Sequence, residues 1–258
     1  MTRLAVLSDI HGILPALQAV LADAVKYEVE GYILAGDYTA GPFQEECIRI
    51  QRALRGWTIL GNGELNLRKY DRGQAPPGWS DCLQFALLRH SYDHLERDTL
   101  NYLASLPEQV VVQVDGLASI RVVHGSPRSP YEEIFTPGDT HPLATALAET
   151  HEQVLVCGHT HIPWLVERAG KMAFNPGSVG GPLNGFVGAH SLSTLIVLPP
   201  WQGFPRLQPY RMKSGSMPKP RLIGKEYGFE EEFPRFHHRD RPGHALPVGR
   251  GRHEDFSA

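Results

Sequence analysis

The chain has 258 residues, of which 41% are hydrophobic, and a formal net charge of −3 at pH 7. This length fits one α/β domain with room for an appendage, and the apolar fraction is sufficient for a buried core. A charge so close to neutral excludes the basic signature of proteins that bind long nucleic acids through phosphates. We expect no membrane partner, because no apolar run reaches the roughly 20 residues that a spanning helix needs.

The cysteines and the first residues of the sequence indicate the cellular compartment of the protein. Cys47, Cys82 and Cys157 show no paired spacing, which is typical of proteins whose thiols stay reduced. The sequence starts on an apolar run, Leu4 to Leu7, without the basic leader and apolar segment of a secretory signal. We therefore predict reduced, buried thiols and a cytoplasmic location.

The first sixty residues predict a parallel β-α-β-α-β unit. Apolar runs at Arg3–Leu7, Tyr32–Leu34 and Trp57–Leu60 indicate buried strands. Apolar side chains recur at helical spacing within Pro15–Val25 and again within Cys47–Leu54. Because crossovers between such strands are right-handed, alternating strands and helices favour a parallel sheet.

The middle of the chain changes from parallel to antiparallel pairing. After a loop rich in glycine and proline at Asp71–Ser80, we predict one or two helices in Asp81–Ser105. Two strands follow, Val110–Val114 and Ser119–Val123, joined by a turn at Asp115-Gly116. The remaining predicted elements are a helix at Leu143–Thr150, a strand at Gln153–Val156, a hairpin over Trp164–Phe174 and a strand at Ser191–Leu198. Such an order favours two stacked sheets with helices outside.

The composition changes after the last of these strands. Prolines recur from Pro199 to Pro247 and exclude long helices, although Leu207–Met212 is expected to add an edge strand. We place the folded domain at residues 1–212 and an irregular, proline-rich tail at residues 213–258. Two interpretations of the tail stay open: an arm that covers the site or a neighbouring subunit, or a loosely ordered terminus. An oligomer is possible.

Polar side chains with metal-binding groups follow five of the predicted strands. In an α/β sheet, ligands gather where the carboxyl ends of the strands open into loops, so five such ends can converge on one site. The residues are Asp9, His11, Asp37, Asn62, His124, His159 and His161.

Each of these residues has a structural interpretation when taken alone. Asp37 suits a helix N-cap, and Asn62 between two glycines suits a tight turn. His159 and His161 favour a metal site over these structural interpretations, because residues two positions apart after a strand point to the same side and can each bind one ion. Taken together, the five strand ends predict a site for two metal ions.

The ordered motifs resemble the signature of the calcineurin-like metallophosphoesterase superfamily, in particular its small bacterial branch of YfcE-type phosphodiesterases. The resemblance covers roughly residues 1 to 200, and its blocks are Asp9-x-His11, Gly36-Asp37, Gly61-Asn62-x-Glu64, His124 and Gly158-His159-Thr160-His161. Asn175-Pro176-Gly177-Ser178 is similar to a further block of that branch.

The resemblance implies an α/β fold, a four-layer α/β/β/α sandwich of two mixed sheets. It also implies that Asp9, His11 and His161 hold a first metal, that Asn62, His124 and His159 hold a second, and that Asp37 bridges the two. The residues expected to act in catalysis are Asp37, Asn62 and Arg128, the last through a phosphate oxygen.

Two cations about 4 Å apart lower the pKa of a bridging water, so that hydroxide forms near neutral pH and attacks phosphorus in line. Imidazole, carboxylate and amide ligands suit manganese, iron, cobalt, nickel or zinc, and the habit of the family favours manganese. We expect hydrolysis of a small phosphate ester, a phosphodiester or a nucleotide-like substrate. The alternatives are a phosphomonoesterase, a phosphoprotein or dinucleoside polyphosphate hydrolase, and a catalytically weak binding module on the same fold.

One position departs from the family pattern. Many phosphomonoesterases of this superfamily have a histidine after the asparagine, whereas this chain has Gly63. General acid catalysis supplies about 10² to 10⁴ in rate, so its loss disfavours poor leaving groups. Glu64 has two open interpretations: it orients a ligand or water, or it is an acidic residue at the positive end of a helix.

Overall fold

The structure, a computed structural model, describes residues 3–113, 118–135, 140–181 and 196–198. Its strands are β1 (Leu4–Leu7), β2 (Gly31–Leu34), β3 (Gly56–Thr58), β4 (Gln109–Val112), β5 (Ile120–Val123), β6 (Val154–Val156), β7 (Trp164–Arg168), β8 (Lys171–Asn175) and β9 (Ile196–Leu198). Its α-helices are α1 (Leu14–Val25), α2 (Gln44–Ala53), α3 (Asn62–Asp71), α4 (Ala86–His94), α5 (Arg97–Ser105) and α6 (Thr140–Glu149), with a short 3₁₀ helix at Leu83–Phe85.

The first sheet has the strand order β3-β2-β1-β9. β1 pairs in parallel with β2, and β2 pairs in parallel with β3, as the opening unit predicts. β9 runs antiparallel to β1, so the sheet is mixed. The parallel strands therefore end at one edge, where Leu7 lies opposite Leu34 and the polar loops begin.

The second sheet has the order β4-β5-β6-β8-β7 and is also mixed. β5, β6 and β8 are parallel, and an antiparallel strand flanks them on each side. The predicted hairpin of β7 and β8 is confirmed, and Ala169 and Gly170 both have positive φ, which suits the twist of a two-residue hairpin turn. β4 and β5 pair antiparallel as predicted, while their turn at Asp115-Gly116 lies outside the described residues.

Three apolar layers separate the helices and sheets, and the alternation of side chains along each strand produces them. Leu4 and Val6 of β1 pack between the two sheets with Val154 and Val156 of β6. Their neighbours on β1, Ala5 and Leu7, face α1 and the other helices on that side. Leu155 of β6 faces α6. The predicted four-layer α/β/β/α sandwich is thus confirmed.

Two features differ from the sequence analysis. α3, which begins at Asn62, is a helix that the sequence indicates only in one interpretation of Glu64, because its polar sequence buries only Glu64, Leu65 and Leu67. Cys82 was expected to be buried but is exposed, whereas Cys47 and Cys157 are buried free thiols. The reason is that Cys82 lies in the turn before the 3₁₀ helix, away from the apolar layers.

In the part of the chain that the structure describes, no helix combines the length and apolar character needed to cross a membrane. The boundary between the domain and the tail, and the edge strand at Leu207–Met212, lie outside the described residues. Of the predicted strand Ser191–Leu198, the structure describes residues 196–198 as β9.

Candidate metal centre

The structure brings the side chains of all seven predicted ligands to one edge of the two sheets. Six of the seven lie in loops after strands and Asn62 is the first residue of α3, and the strands come from both sheets. Asp9 and His11 follow β1, Asp37 follows β2, Asn62 follows β3, His124 follows β5, and His159 and His161 follow β6.

Asp9, His11 and His161 form the first group. The Nε2 atoms of His11 and His161 lie 3.0 Å apart, and His161 Nε2 is 3.2 Å from Asp9 Oδ1. His11 Nε2 is 3.8 Å from the same carboxylate oxygen. Two nitrogens and one oxygen therefore converge on a single point, as the ligand atoms of a metal ion do.

The second group contains Asn62, His124 and His159. His124 Nε2 lies 2.9 Å from Asn62 Oδ1, and the rings of His124 and His159 have centroids 5.2 Å apart. Asp37 lies between the two groups, with Oδ2 3.8 Å from His11 Nε2 and Oδ1 3.6 Å from His124 Nε2. One carboxylate thus faces both groups at once.

The histidine rings are oriented by backbone carbonyls. In three of them Nδ1 hydrogen-bonds a carbonyl oxygen, which leaves Nε2 of the neutral ring as the acceptor that faces the cluster. The carbonyl partners are Thr39 for His11 at 3.2 Å, Ala35 for His124 at 2.7 Å, and Gly181 for His161.

A buried oxygen tests whether a metal fits these residues. Asp9 Oδ1 is buried and has no hydrogen-bond partner among the described residues, although His161 Nε2 lies nearby. Burying a carboxylate oxygen without a partner is unfavourable, so the site favours a cation there. The donor set of imidazole, carboxylate and amide groups suits borderline divalent metals. The residues present therefore fit the predicted ions.

The electrostatics of the cluster also favour positive charge. Burial acts to raise the pKa of Asp37, but the facing His124 and then His11 outweigh it, so this pKa lies well below its usual range. Burial acts to lower the pKa of His124, yet Asp37 holds it above the usual value. The carboxylates attract positive charge to the point where a metal ion is expected.

The backbone of the cluster is strained. Residues other than glycine rarely adopt left-handed conformations, and those that do cluster at functional sites where the surrounding structure holds them. The φ angles are 56° for Asp9, 47° for His11, 57° for Asp37, 66° for His159 and 58° for His161. Most of the predicted ligands thus sit in loops whose conformation the fold imposes.

Glu64 fixes the loop that carries Asp37. Its Oε2 accepts hydrogen bonds from the amides of Asp37 and Gly61, each at 2.9 Å, and its Oε1 accepts from the amides of Tyr38 and Thr39. Burial, and then the charge of Asp37, raise the pKa of Glu64. Both of its open interpretations hold in part: Glu64 opens α3, and it positions the backbone of a predicted ligand.

The block at the end of β8 connects two ligand loops. Asn175 Nδ2 donates to the carbonyl of Gly158 at 2.5 Å and to Thr160 Oγ1 at 3.1 Å. Ser178 Oγ donates to the carbonyl of Asp9 at 2.9 Å. The sequence shows only that this block is similar to a block of the family, and the fold shows that it fixes the loops after β1 and β6.

Gly36, the glycine before Asp37, lies very close to two other ligand loops. Its φ of 98° is unfavourable for other residues, and a Cβ atom there would lie 2.6 Å from Gly61 N and 2.7 Å from His124 Nδ1. The glycine before Asp37 therefore permits three ligand loops to meet.

Arg128 lies outside this network. Its guanidinium forms ion pairs with Glu132 at 2.6 Å and with Glu149 at 3.0 Å, rather than contacting any of the seven predicted ligands. A role for Arg128 in catalysis stays a prediction. Gly63, the departure from the family pattern, donates its amide to Asp37 Oδ1 at 2.9 Å.

A two-sheet sandwich with histidines, aspartates and an asparagine at its strand ends defines the metallophosphoesterase class. The family model of the calcineurin-like phosphoesterase superfamily domain matches residues 2–195, and the chain belongs to this superfamily. The predicted resemblance is thereby confirmed at the level of the superfamily. Membership in a superfamily of phosphoesterases supports a hydrolase that uses divalent metals.

The chain is similar to several proteins from other organisms. An uncharacterized protein from Methanocaldococcus jannaschii is 26% identical over 204 residues, which cover 71% of this chain and 79% of the relative. The crystal structure of a metallophosphoesterase from Sphaerobacter thermophilus is 25% identical with a TM-score of 0.61, covering 76% of this chain and 83% of that one. A hypothetical protein from Pyrococcus horikoshii has a TM-score of 0.64 at 20% identity, covering 83% of this chain and 90% of that one.

Proposed function

We propose that this protein is a phosphoesterase that depends on two divalent metal ions and hydrolyses phosphodiesters or nucleotide-like small substrates. The observation that carries the proposal is the position of Asp37, whose two carboxylate oxygens face His11 and His124 in separate groups of side chains. A carboxylate in this position can hold two ions side by side. Single-metal sites have no need of such an arrangement.

In this proposal Asp9, His11 and His161 hold one ion, Asn62, His124 and His159 hold the other, and Asp37 contacts both. When bound, two such ions supply a water of lowered pKa and neutralise the charge that develops on the phosphoryl group. Manganese is the proposed metal, from the family resemblance. A cytoplasmic location is also proposed, because the described cysteines are free thiols.

The residues of the chain orient the ligands and restrict their motion. Glu64 holds the backbone of Asp37, and the amide of Gly63 donates to Asp37 Oδ1. Backbone carbonyls hold the rings of His11 and His124 with Nε2 toward the cluster. Because these groups are fixed before substrate arrives, little reorganisation is needed during the reaction.

The preference for good leaving groups rests on Gly63, whereas the preference for diesters rests on the family resemblance. A glycine has no side chain that donates a proton to a departing alkoxide, and general acids contribute about 10² to 10⁴ in rate. Aryl and phosphoanhydride oxygens leave without this help. We therefore place esters with aryl or anhydride leaving groups ahead of alkyl phosphomonoesters as substrates.

The experiment compares bis-p-nitrophenyl phosphate with p-nitrophenyl phosphate after reconstitution with manganese, iron, cobalt, nickel or zinc. Asp37→Asn removes one charge from the predicted bridge, and Asp98→Asn is the matched control, because Asp98 is an exposed aspartate paired with Arg52. The proposal predicts metal-dependent turnover that favours the diester, is lost in Asp37→Asn and persists in Asp98→Asn. Two bound metals without turnover of either ester would contradict it and favour the binding module.

A further inference from the structure

A second cluster lies on α3 and has no part in the proposed ligand set. Tyr131 donates its hydroxyl to Asn66 Oδ1 at 2.6 Å, and Lys69 Nζ donates to the same hydroxyl at 3.1 Å. We call these three residues the Tyr131 cluster. It joins α3 to the loop after β5, and both of these elements also carry predicted metal ligands.

The Tyr131 cluster adjoins the metal centre along one helix face. α3 begins at Asn62, and residues four and seven positions further along lie on the same face. At 1.5 Å per residue, Asn66 and Lys69 are about 6 Å and about 10 Å along the helix from Asn62. A group attached to a phosphate at the metal centre can therefore reach Tyr131.

The aromatic ring of Tyr131 is both fixed and accessible. Hydrogen bonds to Asn66 and from Lys69 hold its hydroxyl, and Lys69 Nζ is 5.0 Å from the ring centroid. Even so, Tyr131 is 39% exposed. Exposed aromatic faces stack on bases and aryl rings, and a ring that is already held loses little freedom on binding.

The flanking residues add polar groups to this ring. The amide nitrogen of Asn66 has no hydrogen-bond partner among the described residues, so it can donate to a ligand. Lys69 supplies a cation over the ring, with Nζ 5.0 Å from the ring centroid. The neighbouring Arg68, in contrast, is directed to Glu108 at 2.5 Å.

We propose that Tyr131, with Asn66 and Lys69 near it, binds the aromatic group that stays on the phosphate after hydrolysis, a nucleoside base or an aryl ring that is not the leaving group. This inference rests on the proposed function, because it assigns the substrate class of that same site. The competing explanation is a structural link between α3 and the loop after β5. The two explanations differ in their expected effect on binding. If Tyr131 binds the aromatic group, removal of its ring weakens only ligands that carry such a group, whereas loss of a structural link affects all ligands alike.

The first readout is binding, which does not depend on turnover. Isothermal titration of the metal-loaded protein compares adenosine 5′-monophosphate with ribose 5-phosphate, which has the same phosphate without the base. Stacking on a protein aromatic ring strengthens binding by about 5- to 150-fold for each base, so Tyr131→Leu is expected to weaken binding of the nucleotide by a factor in that range. Binding of ribose 5-phosphate should change by less than about twofold. Tyr131→Phe keeps the ring but loses the hydroxyl that holds it, so it should weaken the nucleotide less than Tyr131→Leu does.

The second readout is kinetic and uses two diesters with the same leaving group, bis-p-nitrophenyl phosphate and methyl p-nitrophenyl phosphate. Tyr131→Leu is expected to raise KM for the bis-aryl ester with little change in kcat, and to leave the methyl ester unchanged. Equal effects on both ligands in the titration, or no effect on either, would overturn the inference while leaving the proposed function intact. If Tyr131→Leu weakens the nucleotide but not ribose 5-phosphate, while the wild type hydrolyses no diester, the proposed function is overturned and the inference about Tyr131 stands.

Discussion

The carboxylate of Glu64 holds the backbone of Asp37: Glu64 Oε2 accepts the Asp37 amide at 2.9 Å, and Glu64 is fully buried. The residue proposed to bridge two metals is thus positioned by a side chain that faces its backbone rather than the metals. Because Glu64 also opens α3, it couples the loop after β2 to the helix that starts at Asn62. The predicted bridging residue and one predicted ligand of the second group are therefore linked by one buried acid.

Replacement of this acid tests the linkage. Glu64→Gln places an amide NH₂ group where backbone amides now donate, so at least one buried donor loses its acceptor. We expect a loss of about 1–3 kcal/mol in the free energy of unfolding and weaker metal binding. Urea denaturation and metal content after dialysis measure the two effects.

The matched control for Glu64 is Glu108→Gln, because Glu108 is 51% exposed at its side chain and pairs with Arg68 on the surface. Surface ion pairs contribute about 0–1 kcal/mol, so this variant should keep its metals and nearly all of its stability. Equal behaviour of the two variants would refute the role assigned to Glu64.

Gly36→Ala is expected to prevent formation of the metal centre. Its Cβ would meet Gly61 N at 2.6 Å, and φ at this position is 98°. Gly73→Ala measures the destabilisation that the positive φ causes without any steric clash, since Gly73 has a φ of 66° and nothing lies within 4 Å of its Cβ position. We predict that the free energy of unfolding falls by about 4 kcal/mol or more in Gly36→Ala and by about 1 kcal/mol in Gly73→Ala. Thermal unfolding with metal analysis distinguishes them, and similar losses in both would contradict the close approach.

Gly63→His tests the missing general acid. The new side chain would stand at the position of the family histidine, and we expect turnover of an alkyl monoester such as glycerol 2-phosphate to rise by about 10- to 100-fold. Gly63→Ala is the control, because it adds the same Cβ, 3.2 Å from Asp37 Oδ1, without an acid. If both variants hydrolyse the alkyl ester at the wild-type rate, our account of Gly63 is wrong.

The sequence was sufficient to predict the framework and the positions of the ligands. Asp9, Asp37 and His124 each follow an apolar run, and parallel strands bring such positions to one edge whatever the details of packing. The alternation within β1 likewise predicts two faces, and the structure packs both of them. Local pattern and sheet geometry are enough for this part of the fold.

The hydrogen bonds that hold the ligand loops in place could not be predicted in the same way. Glu64 bonds to amides 25 to 27 residues away, and Ser178 bonds to the carbonyl of Asp9 across 169 residues. Such contacts depend on the tertiary fold: the family resemblance marks Glu64 and Ser178, but it does not give the groups that they contact. The ion pairs of Arg128 with Glu132 and Glu149 depend on it too.

The most direct test of the central claim is the number of metal ions bound per chain. The purified protein is loaded with manganese, dialysed and analysed by inductively coupled plasma mass spectrometry, with Asp37→Asn and Asp98→Asn treated in parallel. A dinuclear centre predicts about two ions per chain in the wild type and in Asp98→Asn, and the loss of at least one ion in Asp37→Asn. A folded wild-type protein that retains no metal, with manganese or with any other divalent ion, would contradict the account.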